Sequence, residues 1–104
     1  MLACDRKLLI KSIRNRLKTF KKCYNEGNKA VKVFIKEWLD GITIDDDRFL
    51  NVKFDGNSMK VIDEETEKVI ELKDMSDYEL FYLDSELYDL LRELKECKHL
   101  LEKI

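Results

Sequence analysis

The sequence predicts an α+β fold: two N-terminal helices, a small antiparallel sheet of about three strands, and one long C-terminal helix. Three observations lead there. Apolar residues recur every three or four positions over 6–24 and again over 76–104. Between them, Leu50, Val52 and Phe54 alternate with polar residues. Gly, Asn and Asp cluster where one pattern gives way to the next.

The first helix is expected over 6–24, with Leu9, Ile10, Ile13, Leu17, Phe20 and Tyr24 on one face. The run NEGN ends it. Gly27 suits a left-handed cap, and Asn28 can open the next element. Val31, Phe34, Ile35 and Trp38 then fall at helical spacing up to Gly41, although the alternation of Val31, Val33 and Ile35 also fits a strand. RFLNVKF, MKVI and KVIEL read as three strands of a meander, separated by the turn DGNS and the acidic run DEETE. GITID can add a short edge strand.

The last helix has the clearest start signal. Ser76 and Glu79 have capping-box spacing, and Met75 and Leu80 stand where a hydrophobic staple would. Lys95, Lys98 and Lys103 near its end suit the helix dipole. The chain contains no proline and no repeat or low-complexity linker, so a single domain over 1–104 is expected.

This helix carries a long seam: Leu80, Leu83, Leu87, Leu90, Leu94, Cys97, Leu101 and Ile104. Its first half, apolar nearly all round with Tyr78, Phe81, Tyr82 and Tyr88, reads as the spine of the core. The second half requires cover over Leu91, Leu94, Cys97, Leu100, Leu101 and Ile104, supplied either by the first helix or by a second copy. Those six residues are therefore a candidate dimer interface.

Charge divides the chain. Residues 1–40 hold 11 Lys/Arg against 4 Asp/Glu, and residues 41–104 hold 9 against 18. Between Asp5 and Glu26 there are eight basic residues and no carboxylate, and Lys7, Lys11, Arg14, Lys18, Lys21 and Lys22 share one stripe beside the apolar face. Like charges one turn apart cost about 0.2–0.5 kcal/mol each, so phosphates or the chain's own acidic half should offset them. With no interleaved stacking aromatics and few arginines, such a stripe would hold nucleic acid with little sequence preference.

The acidic middle concentrates in Asp45, Asp46 and Asp47, and in Asp63, Glu64, Glu65 and Glu67. It fails the EF-hand pattern, because counting from Asp45 the fifth and sixth positions are Phe49 and Leu50. No metal site and no cofactor is expected. A surface of carboxylates can engage a basic protein groove by imitating a phosphate backbone, as small inhibitors carried by phages and mobile elements do. That parallel is one of composition.

Catalysis is not expected. His99 is the only histidine, three glycines leave no phosphate loop, and no nucleophile motif is present. Cys4, Cys23 and Cys97 are odd in number and widely spaced, which argues against a disulfide framework. No leader or membrane-length apolar run is visible, so a cytoplasmic protein is expected, in a host cell if phage-encoded. The sequence thus favours a small non-enzymatic regulator or inhibitor that binds another protein through the acidic face or the end of the last helix, with a homodimer as one form. The alternative is a sequence-tolerant nucleic-acid binder using the basic stripe.

Overall fold

Three helices and a three-stranded antiparallel sheet make up the computed structural model, which describes residues 3–44, 48–55 and 58–103. Asp45–Asp47 and Ile104, and the side chain of Leu101, lie outside what is described. The first helix, α1 (Ala3–Glu26), turns at Gly27 into α2 (Lys29–Leu39). Asn28 caps α2 by accepting a hydrogen bond from the Val31 amide at 2.9 Å. Helix prevails over strand here because Val31, Ile35 and Leu39, one turn apart, are all buried, while Val33 points outward.

Gly27 does not take the left-handed conformation expected of it. That conformation belongs to Gly41, at φ 80°, where the chain leaves α2 for the sheet. Gly27 instead allows close approach: a Cβ there would lie 2.6 Å from Val31 Cγ1 and 2.7 Å from the Cys23 carbonyl oxygen.

The sheet runs β1 (Ile42–Ile44), β2 (Arg48–Asp55) and β3 (Ser58–Asp63) in spatial as well as chain order. Ile42 pairs with Leu50, and Val52 with Val61. Ile42, Ile44, Leu50, Val52 and Val61 are buried on the inner face, while Thr43, Phe49, Lys53 and Lys60 stand on the outer one.

The third strand is therefore the short edge segment before β2, and the expected strand over 68–72 does not form. That stretch makes one bridge, Val69 to Ile62, and then winds into a 3₁₀ turn over Leu72–Asp74. Leu72 and Met75 are both buried. Their three-residue separation suits a helical turn and cannot place both on one face of a strand.

The long helix, α3 (Asp77–Leu101), opens with the expected capping box: the Glu79 amide donates to Ser76 Oγ at 3.1 Å, and the Ser76 amide to Glu79 Oε1 at 3.0 Å. Met75 and Leu80, the staple positions, are buried. Arg6 pairs with Asp77 and Arg16 with Asp84, so advancing along α1 advances along α3 and the two helices run parallel. Ile13, Leu17 and Phe20 of α1 join Leu80, Leu83, Leu87, Leu91 and Leu94 of α3 in one core. Each such side chain contributes about 1.5–3 kcal/mol on burial.

The first half of α3 is not covered all round. Only the leucine stripe faces inward; Tyr78, Phe81 and Tyr88 are 54%, 51% and 51% exposed, and Tyr82 is 36% exposed. One sheet and two helices cannot enclose the full circumference of a helix at the edge of so small a body, whose extents are 43 × 28 × 27 Å.

Candidate protein-binding surface

On a helix, positions three and four apart share a face. Tyr78, Phe81, Tyr82 and Ser85 accordingly form a strip directed away from the core, with Tyr88 at its α1 edge. The rings of Tyr78 and Tyr82 meet at 4.8 Å, tilted by 55°. Exposed tyrosines of this kind are what protein interfaces enrich, offering large area with few rotors and a polar tip.

Carboxylates flank the strip in two rows, each with heptad spacing. Asp77 and Asp84 line the side toward α1, and Glu79 and Glu86 line the side toward the sheet. Three of these four hold an arginine from elsewhere in the chain. Arg6 Nη1 lies 2.9 Å from Asp77 Oδ1, and its Nη2 donates to the Lys73 carbonyl at 2.6 Å. Arg16 Nε lies 2.9 Å from Asp84 Oδ1, with its guanidinium carbon 5.0 Å from the centre of the Tyr88 ring. Arg48 of β2 pairs with both Asp63 and Glu79, joining the sheet to the α3 cap.

Glu86 differs. Among the described residues no cation pairs with it, and its half-burial, with Asp89 beside it, pushes its carboxyl above the ordinary value. Among the described residues Asp89 has one cationic partner, Arg92, at 3.7 Å on an exposed surface.

The sequence-predicted acidic residues divide. Asp63 is structural: it accepts from the Glu65 and Thr66 amides at 2.9 and 3.2 Å and pairs with Arg48 at 3.2 Å. The Thr66 amide bond leads in holding its carboxyl below the ordinary value, against an opposing effect of desolvation. Glu64, Glu65 and Glu67 are exposed around the same turn. A shallow cleft of about 300 Å³ lies beside them, lined by Arg48, Phe49, Asp63, Glu64 and Glu65.

On the basic stripe, Lys7, Lys11, Arg14, Lys18 and Lys22 are exposed, and none of them pairs with a carboxylate among the described residues. Lys21 is half-buried. The chain's acidic half is thus met by Arg6, Arg16 and Arg48, which lie off the stripe. Between α1 and α3 runs an open groove of about 430 Å³, with Lys11, Arg16 and Lys95 along it.

The described residues among those considered for a dimer divide. Leu91 and Leu94 are 7% and 1% exposed within the chain's own core, so they are closed to a second copy in this fold. Cys97 is half-buried and its thiol is free, while Leu100 is 63% exposed. Leu91 and Leu94 thus share the chain's own core with Ile13, Leu17 and Phe20 of α1, while the Leu101 side chain and Ile104 lie outside the described residues.

The exposed aromatic strip was missed by sequence reasoning, which took these residues as core. A signal was available: Leu80, Leu83, Leu87, Leu91 and Leu94 already complete one helix face, and three of the four additional aromatics are tyrosines, whose hydroxyls resist full burial.

Among the described residues, no group of three His, Cys, Asp or Glu is placed to hold a metal ion, and no helix is long and apolar enough to cross a membrane. Comparison with protein-family models, curated proteins and solved structures gave no match.

Proposed function

We propose that this chain is a small non-enzymatic regulator or inhibitor that acts by binding another protein, with the outer face of α3 as its contact surface. The observation that carries this reading is the exposure of Tyr78, Phe81, Tyr82 and Tyr88 on one helix. An ordinary solvated helix face exposes charges and leaves such rings inside. The surrounding carboxylates favour a cationic partner, such as the basic groove of a nucleic-acid enzyme, for which an acidic surface imitates phosphate.

The test compares wild type with a Phe81→Ser/Tyr82→Ser variant, each immobilised and exposed to nuclease-treated extract of the source organism. A protein retained by wild type and lost by a variant with unchanged circular dichroism supports the reading. Equal retention removes α3 as the contact surface, and no retained protein removes the function.

A second reading is favoured by one observation, the absence of carboxylate partners for Lys7, Lys11, Arg14, Lys18 and Lys22 among the described residues. In it, the stripe tracks a nucleic-acid backbone without reading sequence. Anisotropy with single- and double-stranded DNA and RNA decides it. Binding that falls steeply with salt and is lost in Lys11→Glu/Lys18→Glu supports it; a flat signal at low salt ends it.

A further inference from the structure

The two carboxylate rows on α3 follow a rule within this molecule: Asp77 holds Arg6, Asp84 holds Arg16, and Glu79 holds Arg48. Glu86 is the fourth position of the pattern, seven residues after Glu79, and no described cation pairs with it. Its surroundings resemble those in which Arg16 sits. Arg16 lies between the Asp84 carboxylate and the ring of Tyr88 four residues on. Glu86 has Tyr82 four residues before it and Asp89 three residues after it, both exposed, with Asp89 in a long, exposed pair with Arg92 at 3.7 Å that an incoming guanidinium would share or displace. An incoming guanidinium would therefore meet two carboxylates and a ring whose neighbour, Tyr78, continues the aromatic surface.

We infer that this face of α3 docks an arginine-bearing segment of a partner protein, with one arginine seated on Glu86 and Asp89 against Tyr82, and apolar atoms of the segment resting on Phe81. This rests on the protein-binding reading above and specifies the partner's chemistry. Arginine suits the place better than lysine for two physical reasons. Its planar fork bonds a carboxylate with two parallel donors, and its weakly hydrated face stacks on an aromatic ring, whereas an ammonium is a compact, strongly hydrated point charge. The half-burial that makes an unpaired Glu86 unfavourable also means that an arriving cation relieves a cost already present in the free protein.

The probe is a short alanine-rich helical peptide bearing two arginines one turn apart and a leucine on the same face, with matched lysine and citrulline versions. Binding is followed by backbone amide shifts of the labelled full chain. The expected result is a saturable shift confined to residues 78–93, weakened about fivefold or more by the lysine exchange and further by citrulline. Glu86→Gln, which preserves shape and removes the charge, should weaken the arginine peptide by about tenfold while leaving the lysine-to-citrulline difference small.

Three outcomes of the peptide titration overturn the inference: no shift at about 1 mM peptide, equal binding by wild type and Glu86→Gln, or shifts centred on the 63–67 turn. The last would leave protein binding through the acidic turn standing. Retention of an extract protein that is indifferent to Glu86→Gln but lost in Phe81→Ser/Tyr82→Ser would also overturn the arginine assignment, while leaving the protein-binding function intact.

Discussion

Asp84 of α3 holds two groups of α1 on one oxygen: Arg16 Nε at 2.9 Å and Ser12 Oγ at 2.6 Å. This is the polar lock between the two long helices, beside the leucines that bury between them. Asp84→Ala leaves a half-buried guanidinium and a hydroxyl without their acceptor. It should cost about 1–3 kcal/mol by chemical denaturation, more than an exposed ion pair is worth. In a double-mutant cycle with Arg16→Ala, a coupling of about 0.5–1 kcal/mol is expected. Strict additivity would show that the pair does no more than share a surface.

Gly27→Ala tests the closeness of the α1–α2 turn. The added methyl meets Val31, itself fully buried, and the Cys23 carbonyl at 2.6–2.7 Å. Backbone must shift to admit it, with a loss of about 1–3 kcal/mol. The same exchange would be mild if this turn were loosely packed.

Glu67 adopts φ 60°, unusual for a residue with a side chain, where the loop after β3 closes. Its amide donates to the Asp63 carbonyl at 2.7 Å, so the conformation is fixed by the loop and not by the glutamate. Glu67→Gly should raise stability by about 0.5–1 kcal/mol, as left-handed backbone carries no Cβ penalty in glycine. A drop would mean that the Glu67 side chain contributes something the fold requires.

Two carboxylates give opposite pH signatures. The Asp63 carboxyl lies below its ordinary value of 3.8 in the folded chain, so its stabilisation is present above that value and lost as pH falls through the folded one. Asp63→Asn should flatten the acid limb of the stability curve. Glu86 lies above its ordinary value of 4.5, so the folded state disfavours its charge, and that cost appears as pH rises through the interval. Glu86→Gln should therefore raise the melting temperature slightly at pH 7 and leave it unchanged near pH 3. A fall at pH 7 would show that Glu86 already has a cationic partner in the free protein.

Elements that depend on local signals were legible in the sequence. The capping box at Ser76 and Glu79 and the helix faces around Ile13, Ile35 and Leu87 are set by neighbours within a turn or two, and the structure has them. The strand expected over 68–72 was lost to a longer-range demand, the anchoring of Leu72 and Met75 beneath the start of α3. Gly27 serves close approach where a left-handed angle is expected of it, because a sequence marks where a glycine is needed without saying whether angle or space requires it. The aromatic strip was hidden for a related reason. Periodicity shows that a helix has an apolar face, whereas how much of its circumference is enclosed depends on how many neighbours the fold can supply.

The parallel pairing of α1 with α3 has a consequence for synthesis. The pairs Arg6–Asp77 and Arg16–Asp84 join residues 71 and 68 positions apart. The part of the core that α1 shares with α3 is therefore incomplete until most of the chain has left the ribosome. A nascent chain arrested before α3 presents a helix with an open apolar face and a row of lysines, a form suited to chaperone capture and to proteolysis. Folding of this domain should follow release of α3, so that products truncated before it stay open to removal.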